Sequence, residues 1–291
     1  MADRARALNR FPLVGIAAAM VAAMAILLPL LAVALQGGGS GGFGVGDGRA
    51  LIFTLWQAAF SALLSVVLAI PVARALARRT FTGRRTLVLL FGAPFLLPVI
   101  VAVMGIVTIY GRNGVVNRGL DLAGLPEFSL YGAQGVILAH AFFNLPLAVR
   151  LILQGWSAIP AERFRLAAML DLGPGQIARF LERPMLREVL PSAFLAILLV
   201  CLTSFAVALT LGGGPRATTI ELAIYQAFRF EFDLGRAAML GLLQFAICAA
   251  SAVTLLAISR PPRFGAGLDR PVERWDASGR TSRIADAGAI L

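Results

Sequence analysis

Residues 154–191, QGWSAIPAERFRLAAMLDLGPGQIARFLERPMLREVLP, form the longest polar interruption in a very apolar chain. The stretch carries Glu162, Arg163, Arg165, Asp171, Arg179, Glu182, Arg183, Arg187 and Glu188, with apolar residues spaced between them. Its pattern predicts two short amphipathic helices. In the first, over 161–170, Phe164, Ala167 and Ala168 supply a small-residue face, and Arg163 and Arg165 lie elsewhere on the turn. Leu172-Gly173-Pro174-Gly175 stops it, because glycine permits positive φ and proline cannot continue a helix. Helix restarts at Gln176, and Pro184 is expected to break it again before the next apolar run. Alanines at such a surface let another protein approach closely. Phe164 and the arginines equally suit a helix lying on lipid headgroups.

What surrounds this stretch makes it an exposed loop of a membrane protein. Of the 291 residues, 59% are hydrophobic and 14% are charged, where a soluble domain has about a quarter charged. Apolar runs of transmembrane length recur, at 13–35, 50–76, 86–109, 132–153, 190–211 and 236–258. The net charge is +11 and every basic residue is arginine. The arginines cluster in the gaps between apolar runs, which fits cytoplasmic loops and not the basic soluble face of a nucleic-acid-binding protein.

The arginine bias sets the topology. Arg4, Arg6 and Arg10 precede the first run, and Arg78, Arg79, Arg84 and Arg85 follow the second. The 154–189 loop and the tail from 259 onward hold most of the others, leaving Arg49, Arg112, Arg118, Arg216, Arg229 and Arg236 on the opposite side. Six spans over 13–258, with the 1–12 segment and the 259–291 tail both cytoplasmic, satisfy the positive-inside rule. The first run is too long for a signal-peptide core and reads as a retained anchor. A Gly/Ser-rich connection runs over 36–48. Residues 219–230 read as a short amphipathic helix at the outer interface. The tail ends in IADAGAIL behind Arg280 and Arg283, which reads either as the threshold of a seventh span or as a disordered end.

Chemistry-bearing residues are sparse. His140 is the only histidine, and Cys201 and Cys248 sit singly within apolar runs, so neither a metal site nor a disulfide framework is indicated. There is no Walker A sequence for binding ATP. Polar residues inside spans mark either a translocation path or helix–helix hydrogen bonds. They are Gln57, His140, Asn144, Thr203, Ser204 and Gln244. No span carries an acid in its middle, which argues against a proton- or sodium-coupled carrier. No selectivity-filter pattern marks a channel.

The 154–191 stretch resembles the cytoplasmic loop of binding-protein-dependent ABC importers, whose pattern is Glu-Ala-Ala, three residues, Gly, nine residues, Ile-x-Leu-Pro. With the final proline on Pro184, the pattern's Glu falls on Arg165, its alanines on Leu166 and Ala167, its Gly on Asp171, its Ile on Leu181 and its Leu on Arg183. The spacing, the proline and one alanine match, and Gly173 is expected to supply the turn. Residues 203–244, TSFAVALTLGGGPRATTIELAIYQAFRFEFDLGRAAMLGLLQ, are very similar to the permease family of bacterial thiamine and thiamine pyrophosphate importers. PFLLPVIVAVMGIVTIYGRNG (94–114) and HAFFNLPLAVR (140–150) are similar to it as well.

The resemblance implies an all-α, six-transmembrane-helix type I ABC importer permease bundle in the bacterial inner membrane, with a cytoplasmic coupling helix. It further implies ABC ATPase subunits, which hold the ATP and magnesium, with no cofactor on this chain. A periplasmic thiamine-binding protein would dock on the loops around 112–127 and 216–233. Ala161, Phe164, Arg165, Leu166, Ala167, Ala168, Asp171, Gly173 and Pro184 would form the coupling element. Family permeases are duplicated chains of about twelve spans, so this chain is expected to supply one half and a linker, the other half coming from a further segment or partner chain. A permease for another small solute such as iron(III), or an ion-coupled carrier, is the alternative.

Overall fold

A computed structural model describes residues 12–37, 43–212, 214 and 217–258. Expectations for 1–11, for most of the Gly/Ser connection and for the tail from 259 lie outside the described residues. Among those residues the chain is helical, with no strand. The elements are α1 (Pro12–Gly37), α2 (Val45–Arg78), α3 (Arg84–Leu90), α4 (Ala93–Leu96), α5 (Val99–Tyr110), α6 (Val115–Leu122), α7 (Ala133–Ser157), α8 (Ala161–Met169), α9 (Pro174–Ile177), α10 (Arg183–Leu202), α11 (Phe205–Leu211), α12 (Ile220–Gln226) and α13 (Leu234–Ile258).

Five helical stretches are long and apolar enough to cross a membrane: Val45–Arg78, Val99–Leu122, Ala133–Ser157, Pro174–Leu202 and Leu234–Ile258. The 26-residue, uncharged α1 lies along α13. The chain is therefore a multi-pass membrane protein.

Its centre is the packing of α2, α7 and α10. Lipid gives helices little hydrophobic reason to associate, so close approach of small residues matters more. Along α2 the buried stripe is Ala50, Thr54, Ala58, Ser61, Ala62, Ser65, Ala69 and Ala73, at helical spacing. Against it pack Ala148, Val149 and Ile152 of α7, and Ala193 and Ile197 of α10. Gly155 marks the tightest approach of α7 to α10: a Cβ there would stand 2.7 Å from Val189 Cγ2 and 2.8 Å from Met185 Sδ. Gly155→Leu is expected to pry the two helices apart at a cost of about 1–3 kcal/mol, read as a lowered thermal midpoint in detergent.

Three helix boundaries differ from the sequence expectation, each for a local reason. The 86–109 run is not one helix. Pro94 lies in the first turn of α4 and Pro98 caps α5, positions where a missing N–H costs nothing. Nor does Pro184 break the helix entering the membrane. A π-turn over Ala178–Glu182 carries the chain from α9 into α10, and Pro184 sits in the first turn of α10. The 190–211 run is itself interrupted at Thr203 and Ser204, which leave helical geometry before α11 resumes.

The segment over 219–230 is helical, as α12 followed by a π-turn, and it packs against the bundle. The Ile220 amide donates to Thr54 Oγ1 at 2.9 Å. Thr54 lies about 10 Å further along α2 than Asp47. The segment therefore dips between α2 and α13, packing Ile220 and Ala223 against Ala50 and Leu240, then returns through a π-turn over Ala227–Glu231 to the start of α13. Glu221, which the sequence assigned to an outer loop, thereby stands in the first turn of a helix packed between α2 and α13.

Candidate functional site

Two groups of residues are candidates for function, one around α8 and one around the break that follows α10. At one end, α8 projects from the bundle. Its first face is fixed inward: Ala161, Phe164 and Ala167 are buried, and the latter two join the core of α2, α7 and α10. The opposite face is open. Arg165 and Ala168 are exposed, as are Leu166, Met169 and Leu170, with Met169 at 84%. The proposed coupling residues thus divide into anchors and a presented surface. Met169 and Leu170, which the sequence did not single out, belong to that surface.

The turn after α8 is made by Asp171 at φ 49°. Left-handed backbone is uncommon outside glycine, although Asp tolerates it. Gly173, expected to make this turn, has φ −69°, which any residue adopts, and caps α9. Asp171 is where the importer pattern has its glycine, so the backbone geometry keeps that alignment even though the residue differs. The Leu172 amide donates back to the Ala167 carbonyl at 3.0 Å, closing the helix. Just beyond, Glu182 is buried and accepts from Arg74 Nε at 2.8 Å, tying the π-turn to α2.

The second group surrounds the break at Thr203 and Ser204. A helix that ends inside a membrane leaves carbonyls without partners, each costing several kcal/mol in lipid. Here side chains reach them. Gln244 Nε2 donates to the Leu202 carbonyl at 2.7 Å. Gln57 Nε2 points to the Cys201 carbonyl at 3.5 Å and Asn144 Nδ2 to Cys201 Sγ at 3.2 Å. Gln57 lies about 15 Å along α2 from Asp47, and Gln244 about 12 Å along α13 from Arg236. The polar residues of four helices therefore meet at one level near the middle of the bundle.

Gln57, Asn144, His140 and Gln244 are all buried, whereas Thr203 is exposed and Ser204 half-buried. Of the six path candidates, the first four lie inside this chain's own packing, and only Thr203 and Ser204 present an open surface. Both His140 ring nitrogens, Gln57 Oε1, Asn144 Oδ1 and Gln244 Oε1 have no hydrogen-bond partner among the described residues.

At the far end an ion cluster closes the bundle. Arg236 Nη2 donates to Asp47 Oδ1 at 2.6 Å, and Nε reaches both carboxylate oxygens at 3.2 and 3.3 Å. Arg236 also pairs with Glu231. Asp47 is completely buried and takes a further hydrogen bond from the Gly44 amide. This joins the starts of α2 and α13 to the π-turn after α12. Nearby, buried Asn117 holds the 111–128 loop, donating to the Gly111 and Phe128 carbonyls and accepting from the Phe128 amide.

No family model matches the sequence. Curated relatives do. The chain is 43% identical over 263 residues to the thiamine transport system permease protein ThiP of Brucella abortus (strain 2308), covering 88% of this chain and 48% of that one. It is 52% identical over 197 residues to the ThiP of Escherichia coli (strain K12), covering 67% of this chain and 37% of that one. The chain spans about half the length of the curated relatives it matches. Among solved structures, a chain of a bacterial alginate ABC transporter in complex with an alginate pentasaccharide-bound periplasmic protein superposes with a TM-score of 0.69. The identity is 16%, and the match covers 85% of this chain and 93% of that one. The chain thus has the all-helical fold of an ABC importer permease and is, across most of its length, a homologue of the thiamine transport system permeases.

Proposed function

We propose that the chain is the membrane-spanning permease part of an ATP-binding-cassette importer that moves thiamine or its phosphates across a bacterial inner membrane. The observation that carries this reading is 43–52% identity to thiamine permeases over most of the chain. The α8 end faces the cytoplasm, as its arginines favour, and so do both termini. The face made by Arg165, Leu166, Ala168, Met169 and Leu170 docks on a separate ATPase subunit, which holds the ATP and magnesium. Ala161, Phe164 and Ala167 pass its movement into the α2–α7–α10 core as a rigid body. The opposite end, around Asp47, Arg236 and the 111–128 loop, receives a periplasmic thiamine-binding protein. A second permease half completes the pathway. The chain itself binds no cofactor.

The test is transport. The permease containing this chain, reconstituted in liposomes with its ATPase and binding protein, is expected to take up labelled thiamine only when ATP is supplied and hydrolysed. Uptake driven by an ion gradient without ATPase would replace this reading with an ion-coupled carrier.

A further inference from the structure

Glu221 is the acid that the sequence placed in an outer loop and that the fold turns back between α2 and α13. It lies in the first turn of α12, half-buried. Its neighbour Ile220 bonds to Thr54 of α2. Among the described residues it has no ion-pair or hydrogen-bond partner. An unpaired carboxylate facing lipid is costly, so its open side belongs on an aqueous path or against a protein partner.

Two further observations favour the path. The α10–α11 break brings non-helical backbone, with exposed Thr203 and half-buried Ser204, to the same level. Such backbone is tolerated at membrane depth where it is buried in protein or lines a cavity, and interrupted helices mark substrate sites in transporters. The residue after the break, Phe205, packs on Tyr225 at 5.3 Å between ring centroids. Tyr225 meets Phe230 edge-on at 5.7 Å. It stands one helical turn after Glu221, on the same face of α12. A carboxylate beside clustered aromatic rings is the chemistry that receives a permanently charged nitrogen: the charge attracts it and the rings face it.

We propose that Glu221, Tyr225 and Phe205, beside the Thr203 break, form a recognition element in the translocation path for a cationic aromatic ring such as a thiazolium. This rests on the thiamine reading above. It also gives the path a charge selectivity that the buried, neutral glutamines and asparagine do not provide.

The experiment uses the complete permease–ATPase–binding-protein assembly in proteoliposomes. It compares uptake of thiamine with that of its neutral thiophene analogue. Glu221→Gln is expected to lower thiamine uptake about tenfold or more, leaving uptake of the neutral analogue within about twofold of the unsubstituted assembly. Tyr225→Leu is expected to lower thiamine uptake about three- to tenfold, with Tyr225→Phe retaining it; this pair keeps the proposal testable if Glu221→Gln does not assemble. Equal losses for both solutes would make Glu221 the counter-ion of a partner arginine and overturn the proposal. Unchanged thiamine uptake in Glu221→Gln and Tyr225→Leu would overturn it too, with the thiamine reading intact. An unsubstituted assembly that carries no thiamine would overturn both.

Discussion

Arg236→Met is expected to lower the unfolding free energy by about 3–5 kcal/mol, the largest stability loss at any single position considered. Asp47 is fully buried, and Arg236 faces its carboxylate with both Nε and Nη2. Methionine replaces much of the arginine stem, so packing changes little. What changes is that a buried anion keeps only the Gly44 amide as a donor. Asp47→Asn should cost less, about 1–3 kcal/mol, because a neutral amide strands no charge and can still accept from Gly44. Combining Asp47→Leu with Arg236→Met should recover a large part of the loss, since replacing both members of a buried pair removes the stranded charge. Thermal unfolding in detergent, arranged as a double-mutant cycle, reads this directly. Strictly additive losses would show that the pair contributes no coupling. The site also matters to the path, because Arg236 pairs with Glu231 at the end of the segment that carries Glu221 and Tyr225.

The second large effect is expected at the presented face of α8. Leu166→Asp together with Met169→Asp should abolish ATP-driven uptake, a loss of well over tenfold, and release the ATPase subunit during purification. Both side chains are exposed in the chain, at 57% and 84%. Charges there cost little for folding but would have to be desolvated against an apolar groove. Ala167→Glu is the informative contrast. Ala167 packs against the bundle core, so an acid there should lower the thermal midpoint of the permease itself. Double-Asp protein that still holds its ATPase and transports normally would remove α8 from the docking surface.

These contrasts show how far the sequence could be read. Apolar runs and arginine bias made the membrane class legible, because lipid imposes long apolar helices and arginines gather in the loops between them. The loop over 154–191 was legible as a protruding hairpin because charge and helical spacing occur together there. Which face of α8 points outward was not, since Ala161, Ala167 and Ala168 look alike in a sequence. The polar residues within spans stood out by their rarity in apolar surroundings. That Gln57 and Gln244 serve the exposed end of an interrupted helix could not be seen without the break at Thr203 and Ser204. The packing of the segment around Glu221 could not be read either, because it rests on contacts between residues remote in sequence: the bond from Ile220 to Thr54, and Ile220 and Ala223 against Ala50 and Leu240.

The π-turn over Ala178–Glu182 has an angular meaning. Met185, Ala193, Ile197 and Cys201 are buried at steps of four or eight residues along α10, a stripe that winds round the helix by about 40° for every four residues. Ile177, also buried, precedes Met185 by eight positions, which in an uninterrupted α-helix would set it about 80° round the axis from Met185. A π-turn lodges one extra residue, and Ile177 then falls within about 20° of the Met185 direction. The buried sides of α9 and of the first turn of α10 thereby share one direction, although the sequence between them is a residue too long for it. The surplus sits where the chain passes from the polar loop into the span, so a rotation of the loop enters α10 at that residue.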